Sequence, residues 1–225
     1  MSSNLTKITR FRFVNAFLVS EEDGLTLIDT TVPGGAEKII GEAERLGRPI
    51  VRILLTHAHG DHVGSLDGLV DRLEGVQVGI TARDAKLLRK DKSPEAGEPE
   101  DAKMRGHYPG VKTRPTVELS PGDRIGSLEV VPAPGHTPGQ IAFLDTRDHT
   151  LIAGDAYGNL RGQLVTSAKV TLGSPLPALA TWHRPTALQT ARELRALDPS
   201  SLALGHGAIV QAPGAAMDQA IAAAQ

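Results

Sequence analysis

The sequence predicts an α/β fold in a single domain that spans residues 1–225. Residues 50–55 are a short run of β-branched and leucine side chains after Pro49, which is typical of a buried parallel strand. Residues 36–46 repeat their apolar side chains at helical spacing and are followed by Gly47, a common helix stop. This alternation of strand and helix indicates a sheet covered by helices.

The rest of the N-terminal half continues this pattern. Residues 6–20 carry spaced apolar side chains and precede a charged Asp-Gly turn at 21–24, so we predict extended structure that turns back into a strand at 25–28. Beyond the buried strand, leucine and valine recur at helical spacing over 64–73. The next predicted strand and helix are 76–80 and 82–89.

The C-terminal half places several short strands in close succession, which indicates a second sheet. Turn residues separate them, as in Pro121-Gly122-Asp123. The predicted strands are 117–119, 127–131, 141–144, 151–153 and 201–204, and the predicted helices are 186–197 and 215–224. Residues 90–115 are rich in proline and charge and lack periodicity, which leaves two interpretations open: a solvated loop, or a flap over a functional site with His107-Tyr108-Pro109 at its tip.

A dense group of metal-binding residue types follows the buried strand 50–55. If extended geometry continues for one more step, His57 and His59 point to the same side, because side chains alternate along a strand. Gly60 permits a sharp turn, after which Asp61 and His62 can face a second position. Burying so many polar groups together is favourable mainly when a cation compensates them, and imidazole and carboxylate suit zinc, manganese or iron. The spacing therefore indicates two metal positions.

The run His-Ala-His-Gly-Asp-His at 57–62 resembles the H-x-H-x-D-H signature of the metallo-β-lactamase superfamily. Three later stretches resemble the remaining ligand motifs of that family in the same order: Gly135-His136-Thr137-Pro138-Gly139, Gly154-Asp155 and Gly205-His206-Gly207. The chain is similar to the family over nearly its whole length, and most of all to the glyoxalase II and lactonase-like branch. The resemblance implies a four-layer αββα sandwich with metal ions at one edge, where several strands end.

The resemblance also implies a role for individual residues. The implied metal ligands are His57, His59 and His136 for a first ion, Asp61, His62 and His206 for a second ion, and Asp155 as the bridge between them. Asp61 would also orient the nucleophile and return a proton to the leaving group. Tyr157 lies near the place where the lactonases carry a catalytic tyrosine, so it is a second catalytic candidate. Asp29 is expected to support the ligands and not to bind metal itself.

The function implied by the resemblance is a dinuclear metal-dependent hydrolase, which uses a hydroxide held between two divalent ions to cleave an ester-like bond. Zinc is favoured, and manganese or iron would also fit. A lactone or thioester is favoured as substrate. The alternatives left open are a phosphodiesterase, a mononuclear iron enzyme similar to the persulfide dioxygenases, and a non-catalytic metal-binding protein of the same fold.

Composition excludes several other classes. The chain has no cysteine, so thiolate ligands and disulfides are excluded. Its formal net charge is −2 and its basic residues are dispersed, so we expect a small-molecule substrate and no nucleic-acid partner. No apolar run is long enough for a membrane span and no signal-peptide pattern is present, so we expect no membrane partner and a cytoplasmic location. Formation of a homodimer is left open.

Overall fold

The computed structural model describes residues 4–171 and 176–225. In the first sheet the strands are β1 (Leu5–Arg10), β2 (Val14–Glu21), β3 (Gly24–Ile28), β4 (Ile50–Leu54), β5 (Gln77–Ile80) and β6 (Val117–Glu118). They lie side by side in chain order. The first three pair antiparallel, and the pairs from β3 to β6 are parallel.

The second sheet is mostly antiparallel. Its strands are β7 (Arg124–Ile125), β8 (Leu128–Pro132), β9 (Ile141–Asp145), β10 (Thr150–Ile152), β13 (Ser201–Ala203) and β14 (Val210–Gln211). Their order is β14-β13-β10-β9-β8-β7, and β10 pairs parallel with β13. A separate two-stranded ribbon consists of β11 (Tyr157–Leu160) and β12 (Gln163–Thr166).

The helices cover the outer faces of the two sheets. They are α1 (Ala36–Arg45), α2 (Gly60–Val63), α3 (Leu66–Val70), α4 (Ala82–Leu88), α5 (Leu176–Leu179), α6 (Arg184–Ala196) and α7 (Gly214–Ala223). Buried side chains of α1 to α4 pack on the first sheet, and those of α6 and α7 pack on the second. Within the described residues, no helix is long and apolar enough to cross a membrane.

The alternation of side chains along each strand explains the layering. Along β2, Ala16 and Leu18 belong to the core beneath the helices, whereas Phe17 and Val19 belong to the core between the two sheets. Phe143 of β9 enters that central core from the opposite sheet. The four-layer αββα sandwich predicted from the sequence is therefore confirmed.

The two sheets bring their strand ends to one edge. The end of β3 pairs in parallel with the end of β4, and the end of β10 pairs in parallel with the end of β13. The amide of Ile141 donates to the carbonyl of Thr56 at 3.0 Å, which joins the second sheet to the residue after β4. The segments that follow these strands therefore start close together, as the sequence predicts for the metal motifs.

The predicted helix over 64–73 is wrong in its boundaries. Helical structure begins earlier, at Gly60, and is interrupted before α3. The amide of Gly64 donates to Thr31, and the hydroxyl of Ser65 donates to Val32 at 2.7 Å while it accepts from the amide of Gly35. These tertiary hydrogen bonds hold the chain at the interruption, and no local pattern encodes them.

Other differences concern short elements. The extended stretch predicted over 6–20 is two antiparallel strands, because Phe11 and Arg12 have positive φ values of 47° and 71° and reverse the chain. The sequence analysis also missed the β11–β12 ribbon, although Gly162 in its turn was an available signal. Strands β7 and β14 contain two residues each, too few to show periodicity.

Candidate metal centre

Seven side chains converge at the edge where the strands end. They fall into three overlapping groups, and within each group the ligand atoms all lie within 4.8 Å of one another. The groups are His57, His59 and His136; His57, His62 and Asp155; and Asp61, His62 and His206. The structure thus brings together all seven residues that the sequence analysis named as metal ligands. The first and third groups have the same members as the two predicted ligand sets.

The first group consists of three imidazoles directed at a common point. Nδ1 of His59 lies 3.0 Å from Nε2 of His136. The ring of His57 stands almost perpendicular to both, with centroid distances of 4.9 and 5.0 Å. This geometry suits a cation held by His57 Nε2, His59 Nδ1 and His136 Nε2.

The other ring nitrogen of each imidazole faces an oxygen atom. His57 Nδ1 lies 3.0 Å from the hydroxyl of Thr56, and His136 Nδ1 lies 3.1 Å from the hydroxyl of Thr181. His59 Nε2 lies 3.1 Å from the carbonyl of Arg105. Partners of this kind fix the orientation of metal-binding histidines. Thr181 and Arg105 were missed by the sequence analysis, because a hydroxyl and a carbonyl remote in sequence carry no motif.

Asp155 lies between the first and third groups. Its Oδ1 is 3.3 Å from Nε2 of His62, and its Oδ2 is 3.1 Å from Nε2 of His206 and 3.5 Å from Nε2 of His136. Oδ2 of Asp61 also lies 3.1 Å from Nε2 of His206. Oδ2 of Asp155 therefore lies within 3.5 Å of a nitrogen of the first group and of a nitrogen of the third.

Asp29 supports the centre from behind. Its Oδ2 is 2.8 Å from Nδ1 of His62, and its carboxylate also accepts from the amide and the hydroxyl of Thr56, both at 2.8 Å. It has no ligand atom in any of the three groups. This position agrees with the expected supporting role. Asp29 orients the proposed ligand His62, and it also orients Thr56, the residue before the proposed ligand His57.

Replacing Asp29 with Asn is expected to weaken metal binding by about 10–100-fold, the usual cost of losing a partner of a metal ligand. The amide keeps the shape but loses the negative charge that faces His62. Competition with a chelator of known affinity measures the effect, and Asp71→Asn at an exposed position is the matched control. Equal affinities for the two variants would contradict the supporting role.

Asp84 is a second support that the sequence analysis did not single out. Its Oδ2 accepts from the amide of Ala58 at 2.9 Å and from the hydroxyl of Thr137 at 2.8 Å, and its Oδ1 accepts from the amide of Gly139 at 2.8 Å. Burial raises the pKa of Asp84 to about 6, although these hydrogen bonds oppose the shift. One buried carboxylate therefore ties the loop of His57 and His59 to the loop of His136.

Burial is the largest influence on the pKa values of the first group. It lowers the pKa of His57 well below its usual range, that of His59 to about 3 and that of His136 to about 4. Neutral imidazoles keep a free lone pair, which is the form that binds a metal ion. These three residues are consequently in the protonation state that a ligand needs.

The carboxylates have the opposite effect on the other two histidines. Burial lowers the pKa of His62, but Asp155 and Asp29 outweigh it and hold the pKa well above its usual range. Burial also lowers the pKa of His206, but Asp155 and Asp61 raise it to about 10. The carboxylates thus attract positive charge to this half of the centre, and a divalent cation supplies such charge.

Three buried atoms at the centre test whether a metal ion fits. Among the described residues, His57 Nε2, His62 Nε2 and Asp155 Oδ1 are buried without a hydrogen bond of good geometry, although the last two atoms lie 3.3 Å apart. Buried polar atoms without partners are costly, and all three belong to groups whose atoms lie within a few ångströms. A Cβ atom at Gly205 would overlap with Asp155 Oδ1 and the ring of His62, so glycine keeps this space open. The residues fit bound metal ions.

The segment 90–115 lies against the centre. Besides the Arg105 carbonyl at His59, the carbonyl of His107 accepts from the amide of Gly60 at 2.9 Å. The ring of Tyr108 is buried with its centroid 4.8 Å from that of His59. These contacts favour the flap interpretation over the solvated loop. The contacting part is 105–108, and the ring of His107 itself is exposed.

The structure places Tyr157 outside this constellation. Its side chain is fully buried, and its hydroxyl donates to the carbonyl of Ala191 in α6 at 2.6 Å. It packs in the core between the second sheet and its helices. This geometry corrects the expected catalytic role, because a hydroxyl bound inside the core is not free to donate to a substrate.

Replacing Tyr157 with Phe is expected to leave kcat within about threefold of the wild type and to lower the free energy of unfolding by about 0.5–1.5 kcal/mol, the typical net value of one hydrogen bond. The phenyl ring keeps the packing and removes only the bond to Ala191. Steady-state kinetics and urea unfolding measure the two quantities. A loss of turnover without a loss of stability would restore the catalytic role.

A sandwich that gathers five histidines and two aspartates at its strand ends defines a metalloenzyme of the hydrolase type. The chain belongs to the metallo-β-lactamase superfamily, whose family model matches residues 9–206.

Individual relatives agree with this assignment. The protein YobT of Bacillus subtilis is 46% identical over 208 residues, which cover 92% of this chain and 89% of YobT. The hydroxyacylglutathione hydrolase GloC of Haemophilus influenzae is 28% identical over 156 residues, covering 69% of this chain and 71% of GloC. The crystal structure of TTHA1623 in a di-iron-bound form superposes with a TM-score of 0.65 at 25% identity, covering 93% of this chain and 95% of that one. The chain is accordingly an enzyme of the metallo-hydrolase class.

Proposed function

We propose that the chain is a dinuclear metal-dependent hydrolase of an ester-like bond, with a thioester or lactone favoured as substrate. The observation that carries the proposal is the convergence of seven side chains, in which the first and third groups share no member and Asp155 lies within 3.5 Å of a nitrogen of each. A single metal position would leave either the first or the third group without a cation.

In this proposal each ion has its own ligands. His57, His59 and His136 would hold the first ion, Asp61, His62 and His206 would hold the second, and Asp155 would be a ligand shared by the two. When bound, the two ions lower the pKa of water toward neutrality and so supply a hydroxide nucleophile near pH 7. Nitrogen and oxygen ligands suit zinc best, and they also suit manganese or iron. The di-iron form of TTHA1623 supports iron as an alternative.

Asp61 is the ligand that also faces the solvent. Its side chain is 37% exposed, whereas those of His206 and Asp155 are 9% and 5% exposed. Oδ2 of Asp61 faces His206, and the exposure of the carboxylate leaves it accessible to a substrate or a water molecule. Asp61 would orient the attacking water, hold the proton that the water loses and return that proton to the leaving group.

Two observations favour a carbon ester over a phosphodiester. The relative GloC is a hydroxyacylglutathione hydrolase, and an acylglutathione is a thioester. The half-exposed ring of Phe13 has its centroid 6.0 Å from that of His206, which gives an apolar surface beside the centre for an acyl chain.

The proposal is tested with metal-loaded protein and a panel of one lactone, one thioester and one phosphodiester. We expect about two ions per chain by elemental analysis and the highest kcat/KM with the lactone or the thioester. A single iron with oxygen uptake on a persulfide would instead show a mononuclear iron oxygenase. Two ions without turnover on any substrate would show a metal-binding protein.

A cytoplasmic location and a homodimer remain predictions.

A further inference from the structure

A pocket of about 240 Å³ lies beside the metal centre, between the flap and the start of α6. Its walls come from 101–105 and from 181–185. The amide of Lys103 donates to the carbonyl of Trp182 at 3.1 Å and joins the two walls. The pocket is therefore formed by backbone contacts between distant segments.

The pocket shares its walls with the first metal position. The hydroxyl of Thr181 lies 3.1 Å from Nδ1 of His136, and the amide of Trp182 donates to the carbonyl of His136 at 2.9 Å. On the opposite wall, the carbonyl of Arg105 lies 3.1 Å from Nε2 of His59. The rings of His136 and His59 thus lie between the walls of the pocket and the first proposed ion. The pocket therefore borders two of the residues proposed to hold the first ion.

The charges around the pocket are predominantly positive. Lys103, Arg105 and Arg184 line it, and none of these three side chains forms an ion pair with a carboxylate of the described residues. Asp101 also lines the pocket, but its carboxylate lies 3.4 Å from Nε2 of His183. Three unpaired cations next to one carboxylate contrast with the net charge of −2 for the whole chain. Such a local excess attracts an anion.

Trp182 adds a rigid surface to this charge. It is 7% exposed and lines the pocket. An apolar wall in a pocket that guanidinium and ammonium groups also line suits a carboxylate or phosphate carried on a short carbon chain.

We infer that this pocket binds a negatively charged group of the substrate, a carboxylate or a phosphate, while the ester-like bond lies at the metals. The part of this inference that places the ester-like bond at the metals rests on the proposed function. It narrows the substrate class to lactones or thioesters that carry an anionic group a few atoms away from the bond that breaks.

The first test is a binding measurement that needs no turnover. Trp182 is the single tryptophan of the chain and lines the pocket, so its fluorescence reports on the pocket and its immediate surroundings. We expect succinate or inorganic phosphate to change the fluorescence of the metal-loaded protein in a saturable way, beyond the effect of sodium chloride at equal ionic strength. The stronger of the two ligands identifies the preferred anion.

Variants then locate the anion. The double variant Lys103→Gln and Arg184→Gln removes one cation from each wall, and it should raise the apparent Kd about tenfold or more. Lys103→Arg with Arg184→Lys keeps both charges and should bind nearly as the wild type does. Lys112→Gln, an exposed cation outside the pocket, is the matched control. No response beyond sodium chloride, or equal weakening by the control, would overturn the inference.

The second test compares the N-acetylcysteamine thioesters of succinic and butyric acid, which differ only in the distal group. We expect the wild type to prefer the succinyl thioester in kcat/KM, and the double variant to lose about tenfold or more of that preference. An unchanged preference would refute the inference and leave the hydrolase intact. Turnover of neither thioester nor any lactone, with the fluorescence response preserved, would refute the proposed function and leave the anion site intact.

Discussion

Replacing Asp61 with Asn is expected to lower kcat by on the order of 10²–10⁴, the range that general acid–base assistance supplies. The amide keeps the size of the side chain and one oxygen beside His206, but it cannot accept and return a proton. Steady-state kinetics on the best substrate of the panel measures the effect, and elemental analysis of the same sample shows whether both ions are retained.

The matched control for Asp61 is Asp71→Asn, an exposed aspartate after the next helix. It should leave kcat and metal content unchanged. A kcat of Asp61→Asn near that of the wild type, with both ions present, would show that Asp61 is a ligand only. Loss of an ion together with turnover would assign the effect to metal binding instead.

Removal of the metal ions by a chelator is expected to abolish turnover and to destabilise the fold. Each ion that binds only the folded chain stabilises it by about 2.7 kcal/mol when its concentration is 100 times its Kd. The stabilisation should be large for this chain, because a bound metal ion would satisfy buried atoms such as His57 Nε2 and Asp155 Oδ1. Thermal unfolding with and without zinc, manganese or iron measures the stabilisation, and activity is followed in parallel.

Stepwise return of the metal separates one site from two. Two sites predict that turnover and thermal stability rise until about two ions per chain are bound. Saturation of both quantities at one ion would refute the dinuclear proposal. The His136→Ala variant, which removes one of the three imidazoles of the first group, should retain fewer ions than the wild type at equal free metal.

Motif spacing was enough to predict four of the seven converging residues. His57, His59, Asp61 and His62 follow a strand that is buried and therefore recognisable, and glycines mark the turns that release them from it. His136, Asp155 and His206 were found by resemblance, and the structure brings them to the same place. These positions are predictable because their residue types are rare in buried sites without a cation.

Tyr157 shows where this reasoning fails. Its position in the sequence was consistent with a site role, but the direction of its side chain depends on the β11–β12 ribbon and on α6. The same holds for the interruption before α3, which Ser65 maintains through hydrogen bonds to the loop after β3. Contacts between segments far apart in sequence decide such features, and local sequence patterns do not encode these contacts.

The sequence by itself determined the α/β class and the first cluster of proposed metal ligands, because hydrophobic periodicity and residue type are local properties. Its resemblance to the family implied the four-layer fold and the remaining proposed ligands. Only the tertiary structure decided how these side chains are oriented and what surrounds them. Asp84 ties two ligand loops together, Arg105 supports His59 through a carbonyl, and the pocket at Trp182 forms where two distant segments meet. These arrangements depend on hydrogen bonds and packing between residues that only folding brings into contact.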